Sequence, residues 1–279
     1  MNPKVSVIIP TFNRSGVIKR AIDSVLNQSY QNFELIVVDD GSTDKTYAIL
    51  EEYTVQSKIK LMTTANRGVS AARNLAVRNS QGQWVSFLDS DDEWLKEKLQ
   101  RQMELVETEP SLKIIHTEEI WIRNGIRVNQ MKKHQKYGGD IYEKCLPLCL
   151  ISPSTVLIKK ELYLQEKGFN ENLPVCEDYD LWLRLTAYNK VGFIKDPLIK
   201  KYGGHDDQLS KKFLAMDYFR VLSLNDMMGN LNLTKEKKHL TQKMLLQKCN
   251  ILLNGYKKHG NLYNCNQIEK IFLKWNTNH

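Results

Sequence analysis

Three short acidic clusters have the residue types and spacing that could do chemistry. They run from Asp39 to Asp44, from Asp89 to Asp92 and from Glu177 to Asp180. Carboxylates this close together repel one another unless a cation, good solvation or a hydrogen-bonding ligand offsets their charge. Each cluster therefore has a functional interpretation and a purely structural one.

The first cluster follows an apolar run and contains Asp39, Asp40 and then Gly41. Two carboxylates at a strand end can accept hydrogen bonds from the N–H and hydroxyl groups of a ligand. Alternatively, Asp40 and Ser42 only form the turn and cap the next helix. Taken alone, this cluster favours the structural interpretation.

The second cluster places three carboxylates within four positions, directly after the apolar Phe87-Leu88. Mg²⁺ prefers oxygen ligands and is commonly held by one or two carboxylates together with phosphates and water. The D-x-D formed by Asp89 and Asp91 is therefore a candidate clamp for a metal–diphosphate complex. The alternative is a solvated acidic turn that caps a helix beginning near Trp94.

The third cluster lies at the start of a predicted helix. The helix dipole favours acidic residues in a first turn, which is the structural explanation. The functional one makes Asp178 a general base, on a helix that Leu181, Trp182 and Leu185 anchor in the core.

Strands and helices alternate through the first hundred residues, and this pattern must position the clusters. The predicted strands are Lys4–Pro10, Phe33–Asp39, Ile59–Met62 and Trp84–Leu88. The first predicted helix starts near Ser15, and the other three span Ser42–Tyr53, Val69–Asn79 and Leu95–Glu107. Strands that are apolar on both faces, each followed by a helix, indicate a parallel sheet covered on both sides. Ligands of such sheets bind at the carboxyl ends of the strands.

The second half of the chain has a different pattern. Asn124-Gly125, between two β-branched runs, predicts a tight hairpin. Lys132–Tyr137 is predicted to be a mobile basic loop. The later predicted strands are Thr155–Ile158, Val191–Ile194 and Leu198–Tyr202. Helices are predicted at Asp178–Tyr188 and from Phe213 onward.

The composition is that of an ordinary globular protein. The 279 residues are 42% hydrophobic and 26% charged, which excludes collagen-like and wholly disordered chains. No apolar run approaches the length of a membrane-spanning helix, and the first residues lack the features of a secretory signal. Five cysteines without a C-x-x-C pair argue against a disulfide framework or a zinc knuckle. A cytoplasmic location is therefore expected.

The net charge of +8 is concentrated near the C-terminus. Residues from Phe213 to His279 include ten Lys/Arg and four Asp/Glu. No nucleic-acid-binding motif accompanies this charge, so a nucleic-acid partner is not expected. Two interpretations stay open: peripheral contact with an anionic membrane, or helices packed on the rest of the chain or on a second copy in a homodimer.

Together the motifs resemble family 2 glycosyltransferases, the large inverting group with the GT-A fold. The matching segments are VSVIIPTFNRS (Val5–Ser15), AIDSVLNQSY (Ala21–Tyr30), FELIVVDDGSTD (Phe33–Asp44), NRGVSAARN (Asn66–Asn74) and GQWVSFLDSDDEW (Gly82–Trp94), with looser matches at GFNENL (Gly168–Leu173) and EDYDLWLRL (Glu177–Leu185). The resemblance implies an α/β fold, a Rossmann-like mixed sheet flanked by helices. It covers roughly residues 3–205 and implies a catalytic domain at 1–210, with a nucleotide-binding half to about 110 and an acceptor half at 111–210. The resemblance does not cover the tail, which the sequence pattern predicts to be a basic helical extension at 211–279.

The resemblance also implies roles for residues at the donor site. The loop Pro10-Thr11-Phe12-Asn13 would line the nucleotide base, with Phe12 close to the ring. Asp39 and Asp40 would contact base and ribose, with Asp40 the better partner for a uracil N–H. Arg67 would either approach the donor phosphates or brace its own loop.

The remaining roles concern the metal and the reaction. Asp89, Ser90 and Asp91 would hold a Mg²⁺ or Mn²⁺ ion and the donor diphosphate, with Asp91 in direct metal contact. Asp178 takes the place of the catalytic base. His205 would lie near the metal, unless it is a solvated loop histidine. Trp121 and the Ser152–Ser154 segment would border the acceptor, although Trp121 is equally explained by hairpin packing.

The expected reaction is inverting transfer of a sugar from a nucleotide-sugar, UDP-linked by preference, to a hydroxyl of a glycan or lipid-linked glycan. The lack of membrane spans and of a Q-x-x-R-W signature disfavours a processive synthase. Two alternatives stay open: a nucleotidyltransferase, and a non-catalytic nucleotide-sugar-binding protein of the same fold.

Overall fold

The computed structural model describes residues 3–204, 215–260 and 262–276. Its strands are β1 (Val5–Thr11), β2 (Phe33–Asp39), β3 (Lys60–Thr63), β4 (Trp84–Phe87), β5 (Glu93–Trp94), β6 (Ile114–Arg123), β7 (Ile126–Val128), β8 (Leu157–Lys159) and β9 (Gly192–Gly203). Within the described residues these nine strands form one sheet in the order β3-β2-β1-β4-β8-β6-β9-β5, with β7 paired to β6.

Helices cover the sheet on both faces. They are α1 (Ile18–Leu26), α2 (Thr46–Val55), α3 (Val69–Arg78), α4 (Lys98–Thr108), α5 (Tyr142–Cys145), α6 (Lys160–Gln165), α7 (Glu177–Thr186), α8 (Met216–Met228), α9 (Lys235–His259) and α10 (Leu262–Trp275). Short 3-10 turns occur at Lys132–His134 and Pro153–Thr155.

The strands are apolar on both sides because both sides are buried. Val7 and Ile9 of β1 pack with α1, α2 and α4 on one face of the sheet. Ile8 packs on the other face, with α3, α7 and the C-terminal helices. This is the two-sided burial expected for the parallel part of the sheet, β3-β2-β1-β4, and it accounts for the near-continuous apolar runs of the sequence.

The carboxyl ends of three central strands meet at one edge of the sheet. β1 runs parallel to both β2 and β4, whereas β8 runs antiparallel to β4. The pairing of β1 with β4 covers Val5–Ile8 only, and the amide of Leu88 donates to the carbonyl of Ile8. Pro10, two residues further along β1, has no amide to continue that ladder. The two strands therefore part at this edge.

β9 corrects the prediction of two short strands. It is a single twelve-residue strand, although Pro197 lies inside it. Its pairing with β6 shifts register on both sides of Glu118, and these irregularities accommodate the proline.

Two further local predictions differ in detail from the structure. The helix after the first acidic cluster begins at Thr46, and Ser42 does not cap it. Instead, the Ser42 hydroxyl accepts a hydrogen bond from the Asn13 amide at 2.9 Å. The segment predicted as a mobile basic loop contains a 3-10 turn, and its Lys136 is buried in an ion pair with Glu119 at 3.4 Å.

The C-terminal helices share a core with the rest of the chain. Val221 of α8 and Leu245 of α9 belong to the same buried cluster as Trp182 of α7. The hydroxyls of Tyr142 and Thr241 also meet at 2.7 Å, between α5 and α9. Among the described helices, none combines the length and the apolar character needed to cross a bilayer.

Candidate active site

Asp40 forms the turn that leads into α3. Its carboxylate accepts hydrogen bonds from the Arg67 amide at 2.8 Å and the Gly68 amide at 2.7 Å. Gly68 has φ +93, a conformation that favours glycine. Asp39 accepts from the Ser42 amide at 3.0 Å, and both aspartates are buried. Asp39 and Asp40 therefore both hold backbone turns, although Ser42 does not cap the next helix, and contact of either carboxylate with a base or ribose stays a prediction.

The loop after β1 presents an aromatic ring beside this turn. Phe12 is 38% exposed, unusual for a large apolar residue at the end of a central strand. Asn13 has φ +51, and its side-chain oxygen accepts from the Thr43 amide at 2.7 Å. This bond ties the β1 loop to the first acidic cluster and leaves Phe12 at the surface. Pro10 and Thr11 lie buried in the strand just before it.

Both the backbone and the side chain of Arg67 hold its loop in place. Its backbone amide is held by Asp40, and its side chain reaches Glu171 at 3.4 Å. That side chain is 66% exposed. A contact with donor phosphates stays a prediction.

The second cluster divides into a buried carboxylate and two more accessible ones. Asp92 accepts from the Ser154 hydroxyl at 2.6 Å and from the Tyr202 amide at 3.0 Å. Burial, reinforced by the charges of Asp89 and Asp91, raises the pKa of Asp92 well above its ordinary value. Asp92 therefore fixes the turn, whereas Asp89 and Asp91 are partly exposed.

Serine and arginine side chains hold the D-x-D turn in place. The Asp89 amide donates to the Ser154 hydroxyl at 3.1 Å. Ser90, predicted to contact the donor, is itself buried. Arg20 donates to the Asp91 carbonyl, and its guanidinium lies 3.7 Å from the centre of the Tyr202 ring.

The oxygen donors of this turn fit a hard divalent cation. Asp89 has a 29% exposed side chain, and one of its oxygens is engaged by an arginine. Within the described residues no group of three or more His, Cys, Asp or Glu side chains could hold a metal. Mg²⁺ is commonly held by one or two carboxylates and completed by phosphates and water, which is the set that Asp89 and Asp91 would provide. His205, the third predicted ligand, lies outside the described residues.

Asp178 lies in the first turn of α7, as predicted. Its carboxylate accepts from the Tyr179 amide at 2.7 Å and from the Cys149 thiol at 3.2 Å. Burial, followed by the charge of Asp178, raises the pKa of the Cys149 thiol well above its ordinary value. The thiol is therefore a protonated donor, and each carboxylate oxygen of Asp178 keeps a further acceptor site.

Arg73 connects the second and third clusters, and sequence reasoning missed it. Its guanidinium reaches Asp89 at 2.6 Å and Glu177 at 2.9 Å, and its side chain is 3% exposed. Burial alone would lower the pKa of Arg73, but the charges of Asp89 and Glu177 raise it. The available signal was a charged residue on the alanine-rich, buried face of α3.

Lys201 is a second missed residue. It lies on β9, and its ammonium donates to the Ser152 hydroxyl at 3.3 Å. Burial alone would lower the pKa of Lys201, but nearby carboxylates raise it. In decreasing order of effect these are Glu119, Asp92, Asp89 and Asp178. The Lys201 ammonium is thus electrostatically coupled both to carboxylates of the D-x-D turn and to Asp178, the candidate base.

Trp121 lies at the border of this region. Its indole N–H donates to Glu119 at 2.7 Å, and its ring centre is 5.1 Å from that of His134. Glu119 also forms the buried ion pair with Lys136. Hairpin packing therefore accounts for Trp121, and a role in binding an acceptor stays a prediction.

Comparisons with known proteins agree with this architecture. The model of glycosyl transferase family 2 matches residues 6–159. An uncharacterized glycosyltransferase of Rickettsia felis is 34% identical over 197 residues, 71% of this chain and 32% of that protein. The chain thus spans about a third of the length of that relative. The Escherichia coli UDP-Glc:alpha-D-GlcNAc-diphosphoundecaprenol beta-1,3-glucosyltransferase WfgD is 32% identical over 229 residues, 81% of this chain and 85% of the relative.

Solved structures show the same fold. Staphylococcus aureus TarS 1–349 in complex with UDP superposes with a TM-score of 0.67 at 24% identity, covering 91% of this chain and 72% of that one. The mannosyltransferase PcManGT of Pyrobaculum calidifontis, in complex with GDP-Man and Mn²⁺, gives 0.66 at 17% identity, with 97% and 79% covered. The predicted fold class, a GT-A mixed sheet flanked by helices with a C-terminal helical extension, is confirmed. Because the family model matches more than half of its residues, the chain belongs to glycosyl transferase family 2.

Proposed function

We propose that this chain transfers a sugar from a UDP-linked donor to a hydroxyl of a lipid-linked glycan, with inversion at the anomeric carbon. The observation that carries the proposal is the Arg73 bridge. It joins Asp89 of the D-x-D turn to Glu177, the neighbour of the candidate base. One ion-pair network thus joins the turn that we propose binds the donor to the helix that we propose carries the base.

The donor would bind at the C-terminal ends of strands β1, β2 and β4. Phe12 offers a ring face for the base, and the Asp39–Asp40 turn lies beside it. Asp89 and Asp91 would hold Mg²⁺ or Mn²⁺, which when bound offsets the negative charge that develops on the diphosphate leaving group. The named nucleotides of the structural neighbours, UDP and GDP-Man, support a nucleotide donor.

Asp178 would accept the proton of the acceptor hydroxyl during attack on the anomeric carbon. General-base assistance typically contributes ~10²–10⁴ in rate. Its two hydrogen bonds orient the carboxylate, and its place in the first turn of α7 fixes it in space. The name of WfgD, which acts on a diphosphoundecaprenol-linked sugar, supports a lipid-linked acceptor.

The test combines product identification with one substitution. With UDP-sugar, Mn²⁺ and a lipid-linked acceptor, the expected products are a β-linked glycoside and free UDP. Asp178→Asn should lower kcat by ~10² or more while leaving donor affinity, measured by calorimetry, nearly unchanged. Asp196→Asn, at an exposed ion pair with Arg101, is the matched control and should stay active.

Other outcomes would contradict the proposal. Release of pyrophosphate would indicate a nucleotidyltransferase. Donor binding without transfer or hydrolysis across a panel of glycan acceptors would indicate a non-catalytic binder. Full turnover by Asp178→Asn would remove that residue from the mechanism.

A further inference from the structure

The β6–β7 hairpin and the 3-10 turn after it carry a cationic and apolar surface. We call it the hairpin surface. It consists of Arg123, Ile126, Arg127, Met131, Lys132 and Lys133, all of which are exposed. Ile126 is 69% and Met131 58% exposed. Large apolar side chains among cations are typical of surfaces that meet the headgroup region of a bilayer.

The charge of this segment has one sign. From Ile120 to Gly139 the sequence contains five Lys/Arg and no Asp or Glu. Lys136 is neutralised by Glu119 in the interior. The other four belong to the hairpin surface, and none forms an ion pair with a residue that the structure describes. Such a surface is complementary to lipid phosphates.

The hairpin surface is continuous with the candidate active site. Arg123 and Trp121 are two residues apart on β6, so they share one face of the hairpin, and the guanidinium lies 5.8 Å from the centre of the indole ring. Trp121 pairs in register with Lys201, whose charge acts on Asp89 and Asp178. A bilayer at the hairpin would therefore lie beside the carboxylates.

The C-terminal helices are less suited to this contact. Lys237 and Lys248 are tied to Asp140 and Asp217 in ion pairs. The buried side of α9, with Leu245 and Leu252, is used for packing in the core. The excess charge of this region is thus partly neutralised and distributed over helices that serve a structural role.

We infer that the hairpin surface docks the enzyme on an anionic lipid bilayer. Its cations contact lipid phosphates, Ile126 and Met131 enter the boundary between headgroups and acyl chains, and the candidate active site lies next to the leaflet that would carry the acceptor. The choice of a lipid-borne acceptor rests on the proposed function. The docking itself rests on the hairpin surface alone.

Vesicle co-sedimentation of the full chain tests this inference. Wild-type protein should bind vesicles of phosphatidylcholine with phosphatidylglycerol and lose most binding on pure phosphatidylcholine or in high salt. Replacing Arg123, Arg127, Lys132 and Lys133 together by Gln should lower partitioning on the order of 1,000-fold. The matched control replaces four exposed lysines of α9, Lys235, Lys243, Lys257 and Lys258, by Gln and should bind like wild type.

Two further measurements make the outcome decisive. Thermal midpoints equal to wild type show that both quadruple variants are folded. Transfer to a glycan acceptor without a lipid should be unaffected in the hairpin variant, whereas transfer to a vesicle-borne acceptor should fall with binding. Unchanged vesicle binding by the hairpin variant, or loss only in the α9 variant, would overturn the inference. Vesicle binding that the hairpin variant weakens, in a chain that shows no transferase activity, would refute the proposed function and leave the docking inference intact.

Discussion

Arg73 connects the D-x-D turn to the helix that carries the candidate base, through Asp89 and Glu177. Its two partners lie 16 and 104 positions away along the chain. Removing one member of a buried ion-pair network leaves uncompensated charge in the interior. We therefore expect Arg73→Met to lower the free energy of unfolding by ~3–5 kcal/mol and to abolish transfer.

Urea denaturation measures the stability change. Arg78→Met is the control on the same helix, because Arg78 is 54% exposed and lies 3.8 Å from Glu171. Arg78→Met should lower the free energy of unfolding by less than ~0.5 kcal/mol. Equal stability losses in the two variants would show that the Arg73 bridge contributes little.

Glu119 should make stability depend on pH in the acid range. Burial alone would raise its pKa, but Lys136 and then Lys201 lower it from 4.5 to about 2. Between these values the unfolded state binds more protons than the folded state. The stabilisation is therefore complete above pH 4.5 and is lost as the pH falls toward 2. We expect Glu119→Gln to cost ~3 kcal/mol at pH 7, with the difference from wild type shrinking below pH 4.5.

Chemical denaturation at a series of pH values checks this expectation. Glu161→Gln, with an 82% exposed side chain, is the matched control and should follow the wild-type curve. A Glu119→Gln deficit that stays constant from pH 7 to 3 would contradict the assigned charge coupling.

At the residue level, the acidic groups form a clearer pattern in the sequence than the basic ones. Clustered carboxylates such as Asp89 and Asp91 form a local pattern that can be recognised without a fold. Arg73 and Lys201 have no local pattern. Their roles depend on contacts across many residues of chain, which only packing determines. Asp40 shows the converse: its motif is clear, but its carboxylate accepts hydrogen bonds from the distant backbone amides of Arg67 and Gly68.

At the level of elements, the loop that carries GFNENL is anchored to α3 by one amide side chain. Asn74 donates to the Phe169 carbonyl at 2.8 Å and accepts from the Phe169 amide at 3.0 Å and the Tyr163 hydroxyl at 2.5 Å. Gly168 has φ +65, and an added Cβ would lie 2.8 Å from the Tyr163 ring and close to Asn74. There is no room for a side chain at this position.

We predict that Gly168→Ala lowers the free energy of unfolding by ~1–3 kcal/mol or more. The cost of overpacking and the cost of an unfavourable backbone conformation are both destabilising and add together. The thermal midpoint measures it. Gly16→Ala is the matched control, since its added Cβ meets no atom within 4 Å. A Gly168→Ala protein as stable as wild type would mean that the loop can move away from α3.

Strands and helices were predictable where the apolar pattern of the sequence runs without interruption. The parallel strands and the hairpin at Asn124-Gly125 follow directly from apolar runs and turn chemistry. β9 was divided in the prediction because Lys195, Asp196 and Pro197 interrupt its apolar pattern. In the structure the sheet neighbours β6 and β5 override that local preference.

At the level of the whole molecule, the catalytic and C-terminal parts share one core. The sequence indicated helices after Phe213, but it could not indicate their packing surface. Leu245 of α9 is fully buried, whereas Leu273 of α10 is 65% exposed. A continuous core predicts one cooperative unfolding transition for the described parts of the chain.

Leu245→Ala should therefore shift the whole calorimetric transition downward, with a loss of ~2–5 kcal/mol. Leu273→Ala is the control and should change stability by less than ~0.5 kcal/mol. A separate low-temperature transition in Leu245→Ala would instead indicate that the extension at 211–279 unfolds as its own unit.

The positions of the five cysteines have a practical consequence for studying this molecule. Four are buried and the fifth, Cys149, is half-buried with its thiol held by Asp178. Maleimide reagents at neutral pH require an accessible thiolate, so the native thiols should react slowly. A single cysteine introduced at Asn124, on the exposed tip of the hairpin, could then carry a fluorophore on an otherwise unlabelled background.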